Sequence, residues 1–181
     1  MALFSDEQLA LGIQHGCADD LTLLVERHHG PLLGFLYRMT GGDRALAEDL
    51  VQETFLRVLS KINSYRYPRS LKPWLYAIAV NIARDHYKQA EFRHTDSMPT
   101  QLEFSVAGTP ESELVTNEET HLVATAMNNL PFLQREVILL RYFHELSLDE
   151  ISEIVQVPVG TVKSRLSLGL QRLKERLTAE R

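Results

Sequence analysis

Cysteine occurs once, at Cys17, so no disulfide can close within the chain and a thiolate-rich zinc site is excluded. Purely apolar runs last only a few residues, as in Val137-Ile138-Leu139-Leu140, far short of the roughly 20 that span a bilayer. Met1 to Asp6 has no basic region followed by an apolar core, so no secretory signal is expected. The sequence also lacks a GxxxxGK[ST] loop, a GxSxG elbow and an HExxH pair, which removes the common nucleotide-cleaving, serine-hydrolase and zinc-protease readings. Basic residues are not in excess: 19 Lys+Arg face 24 Asp+Glu, a formal charge of -5. What is present is ordinary globular composition, 44% apolar and 24% charged over 181 residues, enough for one domain or two small ones. A soluble intracellular protein that is not an integral membrane protein is expected.

The net charge hides an alternation. Asp43, Glu48, Asp49 and Glu53 outweigh Arg44 within residues 43–53. Lys61, Arg66, Arg69, Lys72, Arg84, Lys88 and Arg93 then outweigh Asp85 and Glu91 within 61–93. Residues 96–126 hold Asp96, Glu103, Glu111, Glu113, Glu118 and Glu119 and no base. Finally Lys163, Arg165, Arg172, Lys174 and Arg176 outweigh Glu175 within 158–176. Each block alone is compatible with a solvated helix face. Two basic blocks around an acidic middle better suit a polyanion contacted at two places.

Apolar spacing is helical almost throughout, and no strand is predicted. Ser5 with Gln8 resembles a capping box opening a helix to about His15. A second helical stretch covers 18–40, with Gly30-Pro31 expected to kink or divide it and Gly41-Gly42 to stop it. Asp43 caps a helix whose buried stripe is Val51, Phe55, Val58, Leu59 and Ile62. Ser70 is expected to cap another to about Ala90, with Pro73 in its first turn and Leu71, Leu75, Ile78, Ala79 and Ile82 inside. The pattern then fails, and 92–112 is read as a flexible acidic linker. About 20 residues reach about 70 Å when extended. Helical period resumes near Glu113; Pro131 opens a further helix, and Ser147-Leu148-Asp149-Glu150 is a capping box. The last helix is expected from Val159 to Leu177, with Val159, Val162, Leu166, Leu170, Leu173 and Leu177 inside. The fold class is therefore all-α: two small helical domains, 1–91 and 113–181, joined by the linker.

Three segments carry chemistry. Residues 147–172 have the order of a helix-turn-helix, a short capped helix, a tight turn and a basic helix. Lys163, Ser164, Arg165 and Ser167 lie off its apolar stripe, where a recognition helix offers donors to the major groove. Thr161 beside the helix N-terminus suits a phosphate, and Arg141 suits a backbone contact. An ordinary two-helix corner with a solvated basic face is the alternative. Second, Ser64 to Tyr76 interleaves rings with cations, which suits unpaired bases. Tyr65, Arg66, Tyr67 and Arg69 are its functional members, while Trp74 belongs to the core. Third, the acidic helix 43–57 is a surface for a protein partner, or simply a solvated face. His15, Cys17, His28 and His29 invite a metal, but His28 and His29 point to different faces, so no metal and no cofactor are expected.

In this order the pieces resemble the bacterial extracytoplasmic-function (ECF) class of sigma-70-type transcription initiation factors. LLGFLYRMTGG (Leu32 to Gly42), AEDLVQETFLRVL (Ala47 to Leu59) and PWLYAIAVNIARDHYK (Pro73 to Lys88) are similar to the family's first three helical segments. LPFLQREVILLRYF, SLDEISEIVQVPVGTVKSRL and QRL, between Leu130 and Leu173, are similar to its -35-binding domain. The resemblance implies a sigma2-like and a sigma4-like domain and no catalysis. It implies a factor that binds core RNA polymerase, directs it to promoters through the -10 and -35 elements and assists opening. By position, Asp49, Gln52, Glu53 and Leu56 would meet the clamp helices of the largest polymerase subunit, and the sigma4-like domain the flap region. Tyr65, Arg66, Tyr67, Arg69, Lys72, Asn81, Arg84 and Lys88 would contact -10 DNA, with Asp85 on the same helix. Arg141, Thr161, Lys163, Ser164, Arg165 and Ser167 would contact -35 DNA. The linker's acids would mimic nucleic-acid charge along the RNA path. A cytoplasmic location and control by an anti-sigma factor that occludes both domains are implied; no small-molecule substrate is. Two departures stand out: Leu168 where relatives commonly carry another base, and Gly169, which costs about 1 kcal/mol inside a helix. The competing readings are a regulator that binds duplex DNA without polymerase and a protein whose charged faces bind only other proteins.

Overall fold

Helix starts in this chain are written by side chains that satisfy the first backbone N–H groups, which the helix itself leaves open. Ser5 and Gln8 form a reciprocal capping box at α1 (Asp6–Gln14). The Asp43 carboxylate accepts from Leu46 N–H at 3.0 Å to start α3 (Arg44–Lys61). Ser147 and Glu150 repeat the capping box at α7 (Leu148–Val155). These are elements of a computed structural model that describes residues 4–95 and 118–179. The linker expected at 92–112 falls largely outside them, as does the helix resumption expected near Glu113.

Among the described residues all regular structure is helical. α2 (Ala18–Met39) stays one helix through Gly30-Pro31 instead of dividing. Pro31 is exposed, while Leu24, His28, Leu32, Phe35, Leu36 and Met39 form an unbroken buried stripe on the opposite side. That stripe holds the helix together despite the hydrogen bond proline removes. Gly41 and Gly42, at φ of 70° and 93°, then end it in the left-handed region that glycine tolerates. A short 3-10 turn (Ile62–Ser64) follows α3, and α4 runs from Leu71 to Thr95, past the expected stop at Ala90. At its start the Leu71 N–H is met from α1, by the Glu7 carboxylate at 3.1 Å. Ser70 was the expected cap. α1 is tied to α2 by Asp6, which accepts from Arg27 at 2.6 Å and pairs with the buried His28 at 2.8 Å. The His28 bond, with Arg27 in support and against burial, holds Asp6 below the usual carboxylate range.

The second bundle comprises α5 (Glu118–Asn128), α6 (Phe132–Ile138) continued by a π-helical turn (Leu139–Phe143), α7 and α8 (Val159–Ala179). Gln156 takes a left-handed conformation, φ 59° and ψ 43°, and turns the chain between α7 and α8. Two expected core leucines, Leu59 and Leu170, are 41% and 40% exposed. On α8 the buried line is Val162, Leu166 and Gly169, with Leu173 partly buried, which leaves Leu170 beside it. Gly169 is the reason: a Cβ there would lie 2.6 Å from Ile138 Cδ1 and 3.3 Å from Gln134 Cβ. The glycine lets α6 and α8 approach, which accounts for its helix-interior cost.

The two bundles pack on each other along α4, and their buried residues form one continuous cluster. Tyr87 stacks on Phe132 with centroids 4.8 Å apart, and Phe35 meets the His144 ring edge-on at 5.4 Å. Arg135 donates to Met39 O and Leu130 O at 3.0 Å each, placing a cation on the carbonyl end of α2. Ser147→Ala removes one arm of a two-way cap and should cost about 1 kcal/mol, read as a lower urea midpoint at unchanged slope. An unchanged midpoint would show that the cap contributes nothing.

Candidate functional site

Three faces collect the residues expected to carry function. The first lies between α2 and α3. Leu21, Val25, His29, Val51, Gln52, Phe55, Leu56 and Leu59 line an open, almost wholly apolar groove. Leu56 is 66% exposed at its rim, far more than a buried stripe would leave it. Asp49 is exposed nearby, and half-buried Glu53 accepts from Arg57 at 2.7 Å. An exposed apolar strip rimmed by acids is a protein-docking surface in chemical character.

The second face is α4 and the loop before it. Asn81, Asp85 and Lys88 are exposed at helical spacing along one side, with Asp85 Oδ2 3.8 Å from Arg57. Arg66, Tyr67 and Arg69 are exposed in the loop, Tyr67 at 52%. Tyr65 differs from the expectation of a presented ring. It is 2% exposed, meets Trp74 edge-on with centroids 5.8 Å apart, and donates its hydroxyl to Arg69 O. Gln14 Nε2 donates to Tyr65 O at 3.0 Å from α1. Tyr65 therefore shapes the loop from beneath and leaves Tyr67 as its exposed ring. Lys72 is also engaged elsewhere: its Nζ donates to His144 O at 2.6 Å.

The third face is the first half of α8. Lys163, Ser164 and Ser167 are exposed together, and Thr161 is half-buried near the helix start. Arg141 is exposed in the π-helical turn and donates to Leu146 O at 2.9 Å. Arg165 is turned inward, its side chain 20% exposed, with Nη1 3.4 Å from Glu136 Oε1.

Glu136 joins the second and third faces. Its carboxylate is fully buried and receives Arg84 in two bonds, Nη2 to Oε1 at 2.6 Å and Nε to Oε2 at 3.0 Å. Arg84 also donates to Val155 O, at the carbonyl end of α7, at 3.3 Å. Burial pushes the Glu136 carboxyl above the usual range, and the guanidiniums of Arg84 and then Arg165 oppose that push. Two arginines expected on DNA are thus drawn to one acid. Sequence reasoning passed over Glu136; its signal was a lone carboxylate before Val137-Ile138-Leu139-Leu140. It also passed over His144, whose Nδ1 lies 2.9 Å from the Tyr76 hydroxyl across the same interface. Among the described residues no cluster of His, Cys, Asp and Glu could hold a metal ion, and no helix is long and apolar enough to cross a membrane.

A helix-turn-helix with a cationic second helix, set beside a helical bundle with an apolar docking groove, defines a DNA-binding protein that also docks on another protein. Comparison with known proteins narrows the class. The family descriptions "Sigma-70 region 2" and "Sigma-70, region 4" match residues 24–93 and 120–173. The ECF RNA polymerase sigma factor SigW of Bacillus subtilis is 33% identical over 174 residues, covering 91% of this chain and 92% of that protein. The ECF RNA polymerase sigma-E factor of Haemophilus influenzae is 34% identical over 172 residues, covering 90% and 89%. The sigma factor RpoE of Bartonella quintana, solved with the anti-sigma factor NepR, superimposes with a TM-score of 0.73 at 29% identity, over 91% of this chain and all of that one. CnrH, solved with the cytosolic domain of CnrY, shares the fold with a TM-score of 0.71 at 23% identity, over 97% of this chain and 99% of that one. The chain belongs to the ECF sigma factors of the sigma-70 family, and it directs RNA polymerase to promoters.

The interface predicts a pH dependence. Burial, with Lys72 and Arg38 adding repulsion, pushes His144 from 6.5 down to about 4. A group so depressed opposes the packed state once protonated, so the packing keeps this contribution above about 6.5 and loses it as pH falls toward about 4. Glu136, displaced upward, contributes with the opposite sign, so the test compares wild type with His144→Phe, in which Glu136 is common to both. Between about pH 7 and about pH 5 the thermal midpoint of wild type should fall more than that of His144→Phe. Equal falls would contradict the assignment to His144.

Proposed function

We propose that this sigma factor docks on core polymerase through the α2–α3 groove, with Leu56 and Gln52 as the central contacts and Asp49 and Glu53 at the rim. The clamp helices of the largest subunit are its partner there, and the flap region is the partner of the C-terminal bundle. The -10 element is met by Arg66, Tyr67 and Arg69 of the loop and by Asn81, Arg84 and Lys88 of α4. Tyr65 positions that loop, and Lys72 lies beside it. Thr161, Lys163, Ser164, Arg165 and Ser167, with Arg141, meet the -35 duplex. The acids of 96–126 mimic nucleic-acid charge along the RNA path. The protein acts in the cytoplasm, without catalysis of its own, and an anti-sigma factor covers its faces when transcription is not required, as NepR binds its RpoE relative.

One observation supports this reading above the others. A single chain carries, within its two family-matched segments, an apolar docking groove on α2–α3 and an exposed Lys163-Ser164-Ser167 face on the second helix of a helix-turn-helix. A duplex-binding regulator has no use for the groove, and a purely protein-binding module has no use for that helix face.

Transcription by bacterial core polymerase on a randomised promoter library, with and without the protein, tests it. Protein-dependent starts should share two upstream elements. Arg165→Ala should relax preference in the upstream element by about 1–3 kcal/mol, the worth of one bidentate base contact. No protein-dependent starts, beside a working control factor, would refute the reading. An unchanged upstream profile with Arg165→Ala would refute the assignment of that arginine.

A further inference from the structure

Helix α1 carries none of the residues assigned to polymerase or DNA, yet two of its side chains reach the loop that presents Arg66, Tyr67 and Arg69. Gln14 Nε2 donates to Ile62 O at 2.8 Å and to Tyr65 O at 3.0 Å, where the chain passes through and leaves the 3-10 turn. The Glu7 carboxylate accepts from Leu71 N–H at 3.1 Å, where the chain enters α4. Glu7 and Gln14 are two helical turns apart, so they share one face of α1 at a separation of about 10 Å along its axis. Both are half-buried. α1 thus lies across the loop and grips its backbone at both ends. Between the grips the loop closes on itself: Tyr65 gives its hydroxyl to Arg69 O, and Arg69 N–H donates to Arg66 O at 3.0 Å. α1 is itself fixed, with Leu9, Ala10 and Ile13 buried and Asp6 holding Arg27 and His28 of α2.

We propose that α1 is a splint for the base-reading loop, with Gln14 and Glu7 as positioning residues that set how sharply the downstream promoter element is read. The inference rests on the reading that Arg66, Tyr67 and Arg69 meet the -10 element, and it adds what holds them in place. Exposed side chains on a loop lose selectivity when the loop samples many conformations, because only the competent fraction captures its target. Holding the backbone at both ends raises that fraction. The bonds are also of a kind that leaves the reading side chains free. Gln14 and Glu7 grip C=O and N–H groups, which the backbone supplies whatever side chains stand between them. Both therefore act through the loop, and neither is assigned a contact with DNA.

The experiment runs the randomised promoter library with the full-length factor and core polymerase, and reads the base profile of each element separately. Tyr67→Ala should relax the downstream element, which establishes that the loop reads it. Gln14→Ala should relax the same positions about three- to tenfold, as the competent fraction of the loop falls by that factor, and leave the upstream profile unchanged. A merely structural role would lower the amount of active factor, which reduces all starts together and alters neither profile. At the other end, Glu7→Ala should relax the downstream profile, and Glu7→Gln, which keeps an acceptor for Leu71 N–H, should recover it. That pair decides the case if Gln14→Ala does not fold. A downstream profile unchanged in Gln14→Ala and Glu7→Ala, beside one relaxed in Tyr67→Ala, would overturn the splint. A profile unchanged even in Tyr67→Ala would instead overturn the loop's contact with the -10 element, so the two failures are distinguishable.

Discussion

A fully buried carboxylate is tolerated in a protein interior only when cations and hydrogen bonds replace the water it has lost. Glu136 sets that condition here. Its side chain meets the condition by drawing Arg84 from one bundle and Arg165 from the other, and the position of α4 against α6–α8 follows. The Val155 carbonyl, at the end of α7, accepts from the same Arg84 and fixes the guanidinium from the far side. His144 is held in a related way, neutral between the Tyr76 hydroxyl and apolar Phe35, with its carbonyl taking Lys72. The interface is thus polar at its centre and aromatic at its edges.

The helices leading to that interface are set by local devices. Asp43, Ser5 and Ser147 start α3, α1 and α7, and Gly41-Gly42 end α2. Gly169 removes the Cβ that would hold α8 away from Ile138. What looks in sequence like a weak point of the recognition helix is a packing requirement of its buried side.

Most of the architecture was legible in the sequence because capping boxes and apolar periods are local signals. Ser5-Gln8, Asp43 and Ser147-Glu150 act where they were expected, and the Gln156-Val157-Pro158 turn opens α8. Errors arose where distant partners decide. Proline 31 does not divide α2, because the buried stripe on the other face continues through it. Leu59 and Leu170 are half-exposed because the true contact lines run one position aside. Tyr65 is buried because α1 reaches across to it through Gln14. Glu136 and His144 escaped notice because their partners, Arg84 and Tyr76, lie in the other half of the chain, and no spacing within one helix reveals a pair more than 50 residues apart. The exposed members of the DNA faces were legible by their position off an apolar stripe; the inward turn of Arg84 and Arg165 was not.

The central claim is that the two bundles, packed together in the free chain, meet two separate promoter elements once the proposed polymerase contact is made. The lone cysteine helps, because Cys17 is exposed on the first bundle and can carry one dye. A second thiol introduced at exposed Lys174 on α8 carries the other. Energy transfer between them should be high in the free protein and should fall when core polymerase and promoter DNA are added. Transfer that is already low in the free protein, or that does not change on assembly, would contradict the account.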